Sequence, residues 1–280
     1  MNASTEKSPV ETTLGKTPSV GNEAPKPSDS YVQSFARGLE VIRSFNAQAQ
    51  EQTLSEVAAK TGLTRAGARR ILLTLQTLGY VHSDGKLFRL TPRILDLGFA
   101  YLSSTPLWNL AGPVMEGLTD AVQESCSAAV LDGLDVVYVL RVHTHKIMST
   151  NLSVGSRLPA FWTSLGRVLL AGLPDAQVQA LMQQCPRVQY TQMTRTSDEA
   201  LWEVIRQTRA QGWCLLNQEL EEGLISIAAP VKNSMGQTVA ALNISGQANR
   251  TSAEMMQSQL LPQLLLTCQT ISKLLAAAGR

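Results

Sequence analysis

Between residues 53 and 80 the apolar positions fall at helical spacing in two short stretches separated by a glycine. Leu54, Val57 and Ala58 line one face of the first, which Thr53 or Ser55 can cap. Gly62 ends it, because the left-handed backbone expected there resists a Cβ. Thr64 caps the second stretch, where Ala68, Ile71, Leu72, Leu75 and Leu78 keep the rhythm of one buried stripe. At about 100° per residue that stripe faces away from Ala66, with Arg69 and Arg70 on either side of Ala66 and Arg65 near the edge. Upstream, Val32, Phe35, Leu39, Ile42 and Phe45 predict another helix with its apolar groups close to one face. Downstream, residues 80–81 and 87–90 are strand-like around Ser83-Asp84-Gly85, a pairing that favours a tight hairpin.

Arginines on the wet face of an amphipathic helix are common by themselves. Helix, helix, arginine-bearing helix and hairpin in that order is the winged helix-turn-helix arrangement, which sets its second motif helix in the DNA major groove. Thr64, Arg65, Ala66, Arg69 and Arg70 on that helix, with Lys86 beside the wing turn, are the candidate DNA contacts.

Pro92 stands where a helix starts, and Ile94, Leu95, Leu97, Gly98, Tyr101 and Leu102 make one too apolar to stand free. It reads as a linker that packs on a second copy of the chain or is buried in its own. A further helix is expected over 107–124, starting near Pro106 and interrupted at Gly112-Pro113. From residue 126 the period becomes that of strands, over 126–131, 135–141 and 147–152, then 213–217, 226–231 and 238–245. Helices are expected over 163–171, 174–181 and 197–211, with a closing helix over 253–278 that contains Pro262. Strands in hairpins with helices in blocks imply an α+β fold on one antiparallel sheet. The expected organisation is a disordered tail over 1–30, a winged helix-turn-helix domain over 31–91, a linker helix over 92–106 and a binding domain over 107–280.

Charge agrees locally. The chain has 24 Lys+Arg against 22 Asp+Glu, but residues 31–100 hold nine of the former and five of the latter. The positive excess sits where phosphates would be met. An excess of four binds weakly in one copy, so a homodimer or tetramer on a two-fold operator is expected. The first 30 residues are poor in large apolar groups and lack the apolar core of a secretory signal. No run of about 18 apolar residues offers a membrane span, and a cytoplasmic location with no membrane partner is expected. Cys126, Cys185, Cys214 and Cys268 are far apart with no CxxC, and read as single thiols in a reducing compartment rather than disulfides or zinc ligands.

Catalytic chemistry is thin. The chain has no GxGxxG, P-loop, GxSxG or HExxH. His143 and His145 would share a strand face, but no neighbouring acid or cysteine completes a metal site. His82 beside the wing turn reads as an ordinary turn histidine. Glu219, Glu221 and Glu222, with Leu220 between and Gly223 after, read as a solvated loop leading into a strand. The second domain reads as a binder without a cofactor, not as an enzyme. The alternative is a small-molecule-binding or enzymatic α+β protein whose first helices serve protein contacts. Arg65, Arg69 and Arg70 argue against it, because a dimerisation helix has no need of them opposite its apolar stripe.

Five segments carry a likeness to a known family, and the last three of them together are specific. The five are YVQSFARGLEVIRSF from Tyr31, the helix-turn-helix above, KIMSTNLSVGSRLPAFWTSLGRVLLA from Lys146, NQELEEGLISIAAPV from Asn217 and ALNISG from Ala241. By these the chain resembles the IclR family of transcriptional regulators, and within it the branch controlling aromatic-acid catabolism through the β-ketoadipate pathway. The resemblance runs from Tyr31 to the C-terminus. It implies a GAF-like effector domain whose sheet cups a small molecule, and dimers or dimers of dimers on palindromic DNA. It also implies a pocket at Ile147, Thr150, Ser164, Leu165, Leu216, Ser226, Asn243 and Ser245. The residues themselves agree in kind. Ser164 lies at a helix start, where N–H groups favour a carboxylate, and Asn243 and Ser245 are two apart on one strand face. Leu216 and Asn217 stand where relatives often carry acids, a change that suits a carboxylate ligand. Arg141, Arg157 and Arg167 are the candidates for pairing it, Arg141 first. The expected effector is a small carboxylic acid, an aromatic acid or a ring-cleavage product.

Overall fold

The computed structural model describes residues 30–144 and 152–278. Its contacts divide between Arg93 and Ile94 into two compact units. In the first, α1 (Gln33–Arg43), α2 (Leu54–Thr61) and α3 (Arg65–Thr77) share a core built on Val41, Val57, Ala58, Ala68, Leu72 and Leu75. Thr53 caps α2, accepting from the Glu56 N–H while the Glu56 carboxylate accepts from the Thr53 N–H. This reciprocal box decides between Thr53 and Ser55. Gly62 ends α2 at φ 67°, and the Thr64 hydroxyl caps α3 by accepting from Gly67 N at 3.1 Å. The wing is β2 (Val81–Ser83) and β3 (Leu87–Leu90), with a third strand, β1 (Glu51–Thr53), on the other side of β3. The Asp84 carboxylate closes the hairpin, accepting from Lys86 N at 2.9 Å and Leu87 N at 2.8 Å.

Two expectations change here. β1 is too short to show a period of its own and exists because β3 pairs with it. Val32 before α1 and Phe35 and Leu39 on it stay exposed, whereas Val41, outside the expected stripe, is fully buried, and Phe45 just past the helix is buried too. Only the end of α1 meets the core, so the apolar groups of its first turns are left in solvent.

The second unit is a six-stranded antiparallel sheet of order β6-β5-β4-β9-β8-β7. Its strands are β4 (Ser125–Asp132), β5 (Asp135–Val142), β6 (Arg157–Pro159), β7 (Cys214–Asn217), β8 (Leu224–Lys232) and β9 (Thr238–Gln247). Before it come α4 (Leu95–Ser104) and α5 (Pro106–Val122); α6 (Ser164–Ala171), α7 (Asp175–Gln184) and α8 (Asp198–Gln211) lie between β6 and β7. The chain closes with α9 (Ala253–Met255), a π-helical turn (Met256–Leu260) and α10 (Leu261–Ala277). α5 and α10 pack on one face of the sheet; α6, α7 and α8 pack on the other. The fold is α+β, as expected.

Here too the structure corrects details. α5 runs unbroken through Pro113, because Leu107, Trp108, Ala111, Met115 and Leu118 form one continuous buried stripe. Their packing outweighs a helix proline's cost of about 3 kcal/mol. α4 has no buried residue, with Leu95 70% and Phe99 67% exposed, so it is not sequestered in its own chain. The closing helix is long and apolar enough by composition to cross a membrane, but Leu264, Cys268, Ile271 and Leu275 are buried against the sheet, which makes it a core helix. Its wide turn precedes Pro262, which cannot donate to the carbonyl four residues back. The strand expected over 147–152 lies outside the described residues except for Leu152, which is not in a strand; β6 is the strand that pairs with β5. All four cysteines are buried and free.

One irregularity positions the site. β4 and β5 pair Ala128 with Leu140 but Ala129 with Tyr138, so Val139 is skipped. A bulge of this kind shifts the pleat by one residue. Tyr138 and Arg141, three apart, therefore face the same side.

Candidate DNA interface and effector site

α3 turns Ala68, Leu72 and Leu75 inward and leaves Arg65, Ala66, Arg69 and Arg70 exposed. Arg65, Arg69 and Lys86 line a groove of about 500 Å³ between α3 and the wing, shared with Ser55, Gln76 and Ser83. α3 carries no acidic residue, and Asp84 beside Lys86 is engaged by the turn's N–H groups, which hold its carboxyl below the usual value. The groove is thus cationic and lined with short donors, as a phosphate- and base-contacting surface needs. Thr64 has its hydroxyl committed to the cap, and Ala66 and Arg70 lie on the exposed helix surface but do not line the groove. Gln76 was missed, although it follows Arg69 by two helical turns on one flank. Ser55 arrives from α2 by folding, and no spacing in the sequence marks it.

In the second unit a polar band crosses the sheet. Ser164 opens α6, whose cap Thr163 accepts from Gly166 N at 3.0 Å. The Ser164 and Ser226 hydroxyls are 2.9 Å apart. Ser226 pairs in register with Ser245, and the Asn243 Nδ2 donates to Ser245 Oγ at 3.0 Å. Asn243 pairs with Ser127, and Ser127 with Arg141, whose Nη1 donates to Ser127 Oγ at 3.1 Å. Residues in register on neighbouring strands share a face. Arg141, Ser127, Asn243, Ser245 and Ser226 therefore form one line over four strands beneath the start of α6. Their neighbours Cys126, Ala128, Leu242, Ile244, Ile225 and Ile227 face the α5–α10 side.

The middle of the band is closed to solvent, whereas Arg141 and Ser245 are half-buried. Ser127, Ser164, Ser226 and Asn243 are buried, with fully buried Leu165 and Leu216 as apolar neighbours. Among the described residues Asn243 Oδ1 has no hydrogen-bond partner; turning the amide over would orphan its NH₂ instead. A buried amide in this state is completed by a ligand or water. Partial burial lowers the Arg141 pKa without removing its charge, and burial pushes the Tyr138 phenol up to about 12, so it stays protonated. His143 is exposed, its Nδ1 3.5 Å from Arg141 Nε.

Not every expected residue joins the band. Arg157 is taken by Asp132 at 2.7 Å and Asp135 at 3.1 Å on the surface. Arg167 is buried and bonded to both oxygens of Glu219. Glu219 is thus not part of a solvated loop; of that trio only Glu221 and Glu222 are exposed. The reason is Arg167 itself, whose buried guanidinium requires a carboxylate. Ile147, Thr150 and His145 lie outside the described residues. Among the described residues no group of three His, Cys, Asp or Glu could hold a metal. Ser127 and Tyr138 were missed: Ser127 enters through strand register, and strict alternation would have set Tyr138 opposite Arg141.

A winged helix with a cationic groove, carried in one chain with a sheet domain that buries a polar band, defines a DNA-binding regulator with a sensing domain. Residues 34–85 match the IclR helix-turn-helix domain, and residues 99–273 match the bacterial transcriptional regulator IclR C-terminal domain. The chain belongs to the IclR family. It is similar to the Pca regulon regulatory protein of Pseudomonas putida, at 42% identity over 84% of this chain and 81% of that one. A crystal structure of a transcriptional regulator from Rhodococcus sp. RHA1 matches with a TM-score of 0.82 at 50% identity, over 89% of this chain and 100% of that one. The inducer-binding domain of PobR from Acinetobacter, a double mutant in complex with 3-hydroxybenzoic acid, matches with a TM-score of 0.56 at 32% identity, over 60% and 98%.

Proposed function

We propose that this regulator controls a catabolic operon in response to a compact aromatic carboxylic acid bound along the polar band. The observation that carries the reading is the polar line with the half-buried Arg141 guanidinium at one end and, farther along, a buried Asn243 amide atom with no partner among the described residues. A guanidinium suits a carboxylate, and an orphaned amide suits a ring hydroxyl. The relative crystallised with 3-hydroxybenzoic acid holds a ligand of this chemistry. Ser164, Leu165, Leu216, Ser226 and Ser245 complete the wall; Ile147 and Thr150 belong to the pocket by family resemblance alone and lie outside the described residues. A ring-cleavage diacid is the second choice, supported by the likeness to a Pca regulon regulator.

In this reading residues 31–91 bind DNA through Arg65, Arg69, Arg70 and Lys86, with Thr64 and Ala66 at the start of α3; 92–106 link, and 107–280 sense. The protein acts in the cytoplasm as a homodimer or tetramer on a palindromic operator, and is not an enzyme. Exposed Phe35 and Leu39 on α1, and Leu95 and Phe99 on α4, support self-association, since apolar groups of this size favour cover. A thermal-shift screen of hydroxybenzoates, protocatechuate and muconate, followed by gel shifts on the gene's upstream region, tests it. One acid should raise the melting temperature and alter DNA binding. If none does either, the effector reading falls.

A further inference from the structure

Arg167 stands on the same helix as Ser164, three residues on, yet its charge is not offered to the band. Nη1 donates to Glu219 Oε1 at 2.8 Å, Nη2 to Oε2 at 2.7 Å, and Nε to the Phe161 carbonyl at 2.8 Å. Both side chains are buried, at 1% and 7% exposed. Burial is the largest influence and lowers the Arg167 pKa, but the bonds to Glu219 and its charge, together with Cys214, raise it above its ordinary value. In a pair this deep, desolvation cancels much of the attraction. What a two-pronged pair adds is fixed geometry.

That geometry spans two walls of the band. Glu219 lies in the turn between β7 and β8, between Leu216 and Ser226. The same turn is gripped at its main chain, where Thr191 Oγ1 donates to the Gln218 carbonyl and Thr194 Oγ1 to the Glu219 carbonyl, both at 2.7 Å. Gln218 is held at φ 57°, a left-handed conformation uncommon for a residue with a Cβ. On the helix side, Gly166 packs so closely on the Ala160 backbone that a Cβ would not fit. α6 is therefore seated through Gly166 and fastened through Arg167.

We propose that Arg167 and Glu219 are positioning residues of the effector site: their buried fork sets the first turn of α6 against the β7–β8 turn, and so sets the Ser164–Ser226 contact. The effector part rests on the reading of the band given above. Neither residue touches the ligand; they act through the serines.

Two variants of the full chain test this, Glu219→Gln, which removes the countercharge, and Arg167→Lys, which keeps the charge but loses the fork. Hydrogen exchange without ligand comes first. Amides of residues 165–169 and 218–223 should exchange about tenfold faster, while α10 and α3 keep wild-type rates. A speed-up spread evenly through the second unit, or none, overturns the proposal. Calorimetry with 3-hydroxybenzoate follows. Kd should rise about tenfold in Glu219→Gln, and adding Ser226→Ala should cost little more, because both changes remove one contact. Full additivity, or wild-type affinity in both variants, overturns it. If the wild type does not bind this acid, the effector reading fails for it, and hydrogen exchange alone decides whether the fork fastens α6.

Discussion

Arg69 and Arg70 are adjacent on α3, but only Arg69 lines the groove beside the wing. Arg69→Ala should therefore weaken operator binding more than Arg70→Ala, by about 1–3 kcal/mol if a bidentate base contact is lost. A lost phosphate contact would instead weaken all sequences alike and flatten the salt slope by about one. Gel shifts at several salt concentrations separate these results. In the sensing unit, Ser226→Ala removes the bond to Ser164 and should reduce affinity for the best acid by about 0.5–1.5 kcal/mol. Arg141→Ala should cost more, because it removes a charge-assisted bond and leaves the ligand's carboxylate unpaired. Calorimetry on both variants checks the order, and unchanged affinity in the pair would place the ligand elsewhere.

Elements differ in how openly they announce themselves. α2, α3 and the wing were legible because each carries its own punctuation: a Thr cap, Gly62 at φ 67°, and Asp84 bonding the turn it sits in. β1, the bulge at Val139 and the Arg167–Glu219 pair were not, because each is defined by a partner far along the chain. Ser164, Ser226, Asn243 and Ser245 could be placed together by family likeness, whereas Ser127 needed the strand order. Local punctuation also predicts local loss. Thr64→Ala should destabilise α3 by about 1 kcal/mol, measurable by urea denaturation. Because Asp84 titrates below its ordinary value when folded, its contribution is present at neutral pH and is lost as acid protonates it. Lys86 and Leu87 amide resonances should shift together in that acid range, and Asp84→Asn should abolish the titration.

At the scale of the molecule, the two compact units divide the work, and assembly is expected to supply what one copy lacks. Light scattering should show dimers or larger species with and without DNA, and half-sites should lie about one helical turn, or a multiple, apart. A monomer under both conditions would remove the apolar α1 and α4 surfaces from the argument. The thiols give a way to watch one unit at a time. All four cysteines lie in the sensing unit, buried and unpaired, and burial raises Cys126 to about 12 and Cys185 to about 11. Only a thiolate reacts with a disulfide reagent, so labelling must wait for that unit to open. Its rate is a clock for the sensing unit and silent about the winged helix. Bound acid should slow the clock directly. Operator DNA can slow it only by the free energy that couples the two sites, so the unmodified protein would report its own allostery through one chemical rate.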